Sequence, residues 1–295
     1  MRKVLAEGMV DGIAIDRVVR EHEYNMPSKH FHNEYELYYL LQGERYYFIE
    51  KQIYLVKKGT LVIIPKNQIH KTDASSRSFH DRILIELKEE PFSTFFQSDG
   101  RISLQQFFDQ HQGVLEFDEE EQKQVERLLH QMLRELEKKE LGYEMIVKTR
   151  LAELLIRVMR YRAKCTAPLN GSAAQSAKHR KVHEVANYIV EHYTSSESLD
   201  ALSQRFYMSK CYLSRIFKEI TGFTVKEYIN IQRIHHAKDL LTDNRYNMTE
   251  IANLLGYDSL TYFEKVFKKY TETSPLKYRK NLIRYQNEQR TKKEE

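Results

Sequence analysis

The last third of the chain repeats itself. Laid on itself at an offset of 50 residues, Ser209 falls on Ser259, Tyr212 on Tyr262, Phe217-Lys218 on Phe267-Lys268, Thr221 on Thr271 and Tyr228 on Tyr278. Leu213 matches Phe263 and Ile216 matches Val266 in the same register, while upstream an offset of 49 pairs Leu199 with Met248 and Leu202 with Ile251. Such self-similarity marks one supersecondary unit made twice. Each copy reads as a short helix, a tight turn and a second helix with apolar residues on one face only: Leu213, Ile216, Phe217 and Ile220, then Phe263, Val266, Phe267 and Tyr270. The other face holds Cys211, Tyr212, Ser214, Arg215 and Lys218 in the first copy and Thr261, Tyr262, Glu264, Lys265 and Lys268 in the second. A helix of this kind fits the major groove of double-stranded DNA, where Arg and Lys reach guanine acceptors and hydroxyls serve either role. Helix packing and solvated charge would explain the apolar positions without any ligand. The duplication of the polar face favours DNA, with a long helix at about 224–242 holding the two readers apart.

Charge is distributed in the same sense. The net charge is +5, yet residues 178–295 hold 21 Lys/Arg against 15 Asp/Glu, leaving 26 against 27 for the rest. The excess positive charge is therefore all C-terminal, as expected where one part of a chain meets a polyanion. A solvated basic face is the plain alternative. Length and 41% hydrophobic content suit two globular domains. Cys165 and Cys211 suggest no disulfide framework, and the start of the chain has no unbroken apolar run for a signal peptide or membrane span. The expectation is a cytoplasmic protein with no membrane contact.

The front of the chain has another period. Tyr35 to Leu41 and Tyr46 to Ile49 lie either side of Gln42-Gly43-Glu44, and apolar runs recur from Ile53, Leu61 and Ile83 with turn residues between them. Many short strands at such spacing predict a barrel or sandwich over 1–117. Asp118 with Glu121 then predicts a helix start, and the stripes Val125, Leu128, Leu129, Met132, Leu133, Leu136 and Val147, Leu151, Leu154, Leu155, Val158 predict a helical hairpin over 118–164. Those stripes suit either packing on the barrel or a partner helix in a homodimer. Residues 165–177 have linker chemistry, 178–285 read as helical, and 286–295 form a polar tail.

Ile251-Ala252, Gly256-Tyr257, Phe263, Phe267-Lys268 and Pro275-Leu-Lys-Tyr278-Arg279, with the related copy ending in Phe217-Lys218-Glu-Ile-Thr-Gly222, resemble the AraC/XylS family of bacterial regulators. The resemblance implies a seven-helix domain with recognition helices around 209–220 and 259–270, and Cys211, Ser214, Arg215, Thr261, Tyr262 and Lys265 as base contacts. Tyr207 stands where the family usually has a turn Gly, and Glu272 where Gly often precedes the Ser-Pro pair, so the first turn is expected to be less regular.

His30-x-His32-x-x-x-Glu36 with Gly43, followed by Gly59, Pro65 and His70, resembles the cupin signatures, with Asn67 in place of a Gly. His30, His32 and Glu36 share strand parity and can face a barrel interior. Regulators of this resemblance sense a small molecule, often a sugar, and usually activate; no cofactor is then required. His30, His32, Glu36, Tyr38 and His70 are the effector candidates, with Tyr47 and Phe48 as flat faces. Two readings compete: His30, His32, Glu36 and His70 as ligands of a divalent metal in an enzyme or metal sensor, and ordinary barrel-mouth residues. The expected fold is thus α+β and multidomain: a cupin-like β-barrel, a helical hairpin and an all-α domain with two helix-turn-helix units.

Overall fold

In the computed structural model, which describes residues 2–21, 32–66, 68–74, 79–96, 103–164, 177–195, 197–243, 245–281 and 283–284, the alternating segments pair as antiparallel strands. In chain order they are β1 (Arg2–Val10), β2 (Ile13–Arg20), β3 (Tyr35–Ile49), β4 (Gln52–Lys57), β5 (Thr60–Ile64), β6 (His70–Ala74) and β7 (His80–Leu87). Helices α1 (Phe92–Phe96) and α2 (Leu104–His111), strand β8 (Gly113–Glu116), and helices α3 (Glu119–Lys138) and α4 (Tyr143–Lys164) complete a first unit, Met1–Ser176. A second unit, Ala177–Glu295, contains α5 (Ala177–Glu191), α6 (Leu199–Arg205), α7 (Lys210–Thr221), α8 (Val225–Thr242), α9 (Met248–Leu254) and α10 (Leu260–Thr271). The segments read as linker and tail lie outside the described residues, apart from Ala177.

The strand order is β1-β2-β7-β3-β5-β8, with β4 and β6 paired to the far half of β3. Gln42-Gly43-Glu44 is therefore no turn between strands. The strand runs on through it as a single 15-residue element, with a register shift between Leu40 and Gln42. Gly43 permits this, because its φ is +91° and a Cβ there would lie 2.3 Å from the Phe79 carbonyl oxygen. The bulge reverses parity. Glu36, Tyr38 and Leu40 lie on one face before it, and Arg45, Tyr47 and Ile49 continue that face after it. Tyr38, Leu40, Val62, Ile64 and Val114 consequently meet Tyr47, Ile49 and Val56 across an interior.

The opposite face of the sheet packs on helices. Asp118 caps α3 by accepting from the Glu121 amide at 2.9 Å, Glu119, Glu120 and Glu121 sit at the positive end of the helix, and Lys138 ends it. The stripe Val125, Leu128, Leu129, Met132, Leu133 and Leu136 and its α4 counterpart are fully buried with Ile15, Leu37, Ile85 and Phe108 in one core. Of the two uses open to these stripes, packing inside the unit is the one observed. Their side chains are buried within the unit.

In the second unit the repeat is exact to individual hydrogen bonds. Ser209 accepts from the Tyr212 amide at 3.3 Å and Ser259 from the Tyr262 amide at 3.2 Å. Thr221 Oγ1 donates to Phe217 O at 2.7 Å, and Thr271 Oγ1 to Phe267 O at 2.8 Å. The turns correspond too: Met208 N donates to Ser203 O and Tyr257 N to Ala252 O, both at 2.9 Å. The expected irregularity at Tyr207 is absent. It adopts φ +54° where Gly256 has +77°, and its side chain, 95% exposed, clashes with nothing that would forbid the turn. Gly256 is required for a second reason, since a Cβ there would lie 2.0 Å from Thr194 O.

Each copy is closed by an arginine. Arg233 on α8, nearly buried, donates from Nε to Tyr193 O at 2.7 Å and from Nη2 to Ser195 O at 3.0 Å, beyond the end of α5. Arg279, within the helical stretch 275–281, donates in the same way to Leu241 O at 3.3 Å and Asp243 O at 3.4 Å, at the end of α8. Each guanidinium thus satisfies carbonyls in the last turn of a helix or in the turn just beyond it.

Leu129→Ala is expected to lower the stability of the first unit by about 2–5 kcal/mol, read by calorimetry; an unchanged transition would contradict its place in the core. Arg233→Leu strands two half-buried carbonyls, costing about 1–3 kcal/mol, and amide exchange at 193–195 should accelerate selectively.

Candidate functional site

The first candidate surface is the outward side of α7 and α10. Cys211, Tyr212, Arg215 and Lys218 are exposed and Ser214 is half-buried; Thr261, Tyr262, Glu264, Lys265 and Lys268 are all exposed. Leu213, Ile216, Phe217, Phe263, Val266 and Phe267 point the other way into the core. Arg215 stacks over the Tyr212 ring at 5.6 Å, and Lys226 reaches over Tyr262 at 5.8 Å. A groove beside α7 is lined by Leu199, Cys211, Ser214, Arg215 and Lys218. Neighbouring cations are tied to acids: Arg205 to Glu197 at 3.0 Å and Lys210 to Asp200 at 2.8 Å. Among the described residues, Arg215, Lys218, Lys265 and Lys268 form no ion pair within the chain. Their charge is available to an outside anion.

The second candidate is the inner face of the sheet in the first unit. Glu36 is 1% exposed and its carboxylate is fully engaged. Tyr47 donates its hydroxyl to Oε1 at 2.7 Å, while Oε2 lies 3.3 Å from His32 Nε2 and 3.2 Å from His70 Nε2. Burial alone would raise the Glu36 carboxyl, but positive charge at His70 and hydrogen bonds from both rings outweigh it and hold the group well below the usual carboxylate range. Burial and the adjacent carboxylate push the Tyr47 hydroxyl well above its ordinary value. Each histidine is anchored from behind, His70 Nδ1 at 2.9 Å from Gln68 O and His32 Nδ1 at 3.2 Å from Glu34 O.

His32, Glu36 and His70 are therefore brought together, and Tyr38 lies two residues along the strand from Glu36 on the same face. The Tyr38 hydroxyl is buried and, among the described residues, has no hydrogen-bond partner. His30 and Asn67 lie outside the described residues. Phe48, considered as a flat face, is buried on the opposite parity from Tyr47. Sequence reasoning missed Arg45, which is 1% exposed, and Arg82, which pairs with Asp16. Both carry charges that act on Tyr38. Strand alternation in β7 pointed to Arg82; Arg45 was hidden by the parity reversal.

A chain of hydrogen bonds leaves this cluster. From the Gln68 carbonyl that anchors His70, the Gln68 side-chain amide donates to Gln112 Oε1 at 2.6 Å. Arg162, in the last turn of α4, donates to His111 O at 3.2 Å and Gln112 O at 3.4 Å.

Comparison with known proteins gives both surfaces a context. A family model described as an AraC-like ligand binding domain matches residues 17–155, and one described as a helix-turn-helix domain matches 202–281. The HTH-type transcriptional regulator YijO of Escherichia coli is 35% identical over 114 residues, 38% of this chain and 40% of YijO. YisR of Bacillus subtilis is 37% identical over 109 residues, 37% of this chain and 38% of its own length. An HTH-type regulator of Staphylococcus aureus is 23% identical over 265 residues, 90% of this chain but 34% of that protein. The matches thus span about 40% or less of these relatives. A crystal structure of apo ToxT from Vibrio cholerae aligns over 92% of this chain and 98% of its own at 13% identity with a TM-score of 0.39, too loose a superposition to add weight. No described helix is long and apolar enough to cross a membrane. Residues 17–155 are thus similar to an AraC-like ligand binding domain and residues 202–281 to a helix-turn-helix domain, the two-part order that the resemblance in the sequence implies.

Proposed function

We propose that the chain is a cytoplasmic, ligand-responsive regulator that binds double-stranded DNA through α7 and α10 and reads a small effector on the inner face of its first unit. The observation that carries the DNA reading is the duplicated outward surface, whose four cations are kept out of internal ion pairs while its apolar side is spent on the core. Arg215 and Lys265 are assigned to base edges, with Cys211, Ser214, Thr261 and Tyr262 beside them. Tyr212, Lys218, Glu264 and Lys268 complete the contact surface, the two lysines being suited to backbone phosphates. The matched models and relatives reported above describe regulators, which disfavours the enzyme alternative.

For the effector we propose a small hydroxylated molecule, with a sugar as the leading class. The buried Tyr38 hydroxyl, the Tyr47 ring and the polar groups of Glu36, His32 and His70 support that chemistry. The Gln68–Gln112–Arg162 chain supports a route by which occupancy would bias the end of α4, from which the connection to the second unit departs. Activation is proposed as the output on family resemblance alone. A homodimer is proposed on the exposed apolar residues of the hairpin, Leu141, Met145, Ile146 and Ile156, because the buried stripes are already used.

Arg215→Ala and Lys265→Ala should each weaken binding to the native operator by about 1–3 kcal/mol, whereas Lys268→Ala should weaken all sequences alike and flatten the salt dependence. Unaltered operator affinity in both of the first two variants would remove the assignment. Combined His32→Ala and His70→Ala should abolish the response of operator affinity to a monosaccharide panel and leave ligand-free binding intact. Gln112→Leu should blunt the same response while the effector still binds. Met145→Glu with Ile156→Glu should sediment as a monomer where the native chain does not.

A further inference from the structure

Strand register sorts the inner face of the first unit into rows. Glu36 on β3 stands opposite Glu86 on β7, Tyr38 opposite Leu84, and Leu40 opposite Arg82. Arg82 also stands opposite Val18 on β2, so Asp16, Val18 and Arg20 share this face, and Asp16 pairs with Arg82. Past the bulge, Arg45 lies opposite Val56, a member of the same inner cluster. Glu36, Glu86, His32 and His70 thus collect at one end of the face, and the guanidinium groups of Arg20, Arg45 and Arg82 at the other. Arg20 and Arg45 are buried and Arg82 nearly so. Tyr38 stands between the two ends. Its hydroxyl is buried and, among the described residues, has no hydrogen-bond partner. Positive charge at Arg45, Arg82 and Arg20 acts on it from three strands. A buried O–H left unsatisfied costs about 1–3 kcal/mol. Neither nearby acid supplies the acceptor, because Asp16 is engaged by Arg82 and Glu36 by Tyr47 and both histidines. What the hydroxyl lacks is an acceptor, and three guanidinium groups around it select one that carries negative charge.

We infer that Arg20, Arg45, Arg82 and the Tyr38 hydroxyl form an anion subsite, and that the effector is a hydroxylated acid whose carboxylate or phosphate group occupies it. Guanidinium suits both anions, since its planar fork of N–H donors matches two oxygens at once. The hydroxyls of the same molecule then lie toward Glu36 and Glu86, whose carboxylates accept hydrogen bonds. The inference rests on the reading of this face as the effector site and narrows the class from sugars in general to their acids and phosphate esters.

The test titrates the full chain calorimetrically with three matched probe sets: neutral hexoses and pentoses, the corresponding uronic acids, and their phosphate esters. The second and third sets tell a carboxylate from a phosphate. An acidic member is expected to bind about 10–100-fold more tightly than its neutral parent, and that preference should vanish in Arg45→Met and in Arg20→Gln. Tyr38→Phe removes one unpartnered oxygen and no packing, so it should keep the native unfolding midpoint and still lose about tenfold of the preference. A neutral sugar that binds as tightly as its acid and shifts operator affinity would overturn the inference while leaving the effector reading intact. Binding of no member of the three sets to the folded chain would overturn both. Full preference for the acid in Tyr38→Phe would place the anion elsewhere and overturn the subsite.

Discussion

A carboxylate cannot be buried cheaply, and the inner face of the first unit is organised around that fact. Taking Glu36 out of water costs several kcal/mol unless partners compensate, and three side chains from three places in the sequence do so. They can reach it only because β3 carries Glu36 before the bulge and Tyr47 after it, bending so that both face the same interior. The strands that pair along β3, namely β5 and β7 on one half and β4 and β6 on the other, inherit their faces from that single reversal. The outer core, the covering helices and the position of His70 on β6 all follow from it.

The second unit solves a related problem with backbone rather than side-chain groups. Short helices leave many carbonyls unsatisfied for their length, and the duplicated domain has several short helices. Arg233 and Arg279 close the ends of α5 and α8, and Thr221 and Thr271 fold back on Phe217 and Phe267. With those groups met internally, α7 and α10 can turn their remaining polar residues outward.

Much of this was legible in the sequence where a period was long enough to be read. The duplication, the two stripes of the hairpin and the long helix starting after Thr224 are all patterns over ten or more residues, and the cap at Asp118 marks where the first stripe begins. The bulge was not legible, since one extra residue near Leu41 looks like a turn when Gly43 follows it. Its consequence was to hide Arg45, because counting alternate residues from Glu36 puts it on the wrong face. Strand β1 escaped because its exposed apolar and polar residues, Val4 and Met9 among them, dilute the alternation. Arg233 could not be found from spacing, as its partners are main-chain atoms some forty residues upstream. In the candidate site, Glu36, His32 and His70 were visible as a pattern, whereas what stands behind each ring was visible only in three dimensions.

The long helix between the two repeats sets how they are held. At 18 residues, α8 is packed against α5, α7, α9 and α10 and capped at its start by the reciprocal bonds of Thr224 and Glu227. A helix turns by about 100° and advances by about 1.5 Å for every residue added. Point changes along α8 alter contacts locally, but one residue gained or lost would rotate α10 by about 100° relative to α7. The helix works as a ruler, and in the history of such a chain its length should prove far less negotiable than its composition.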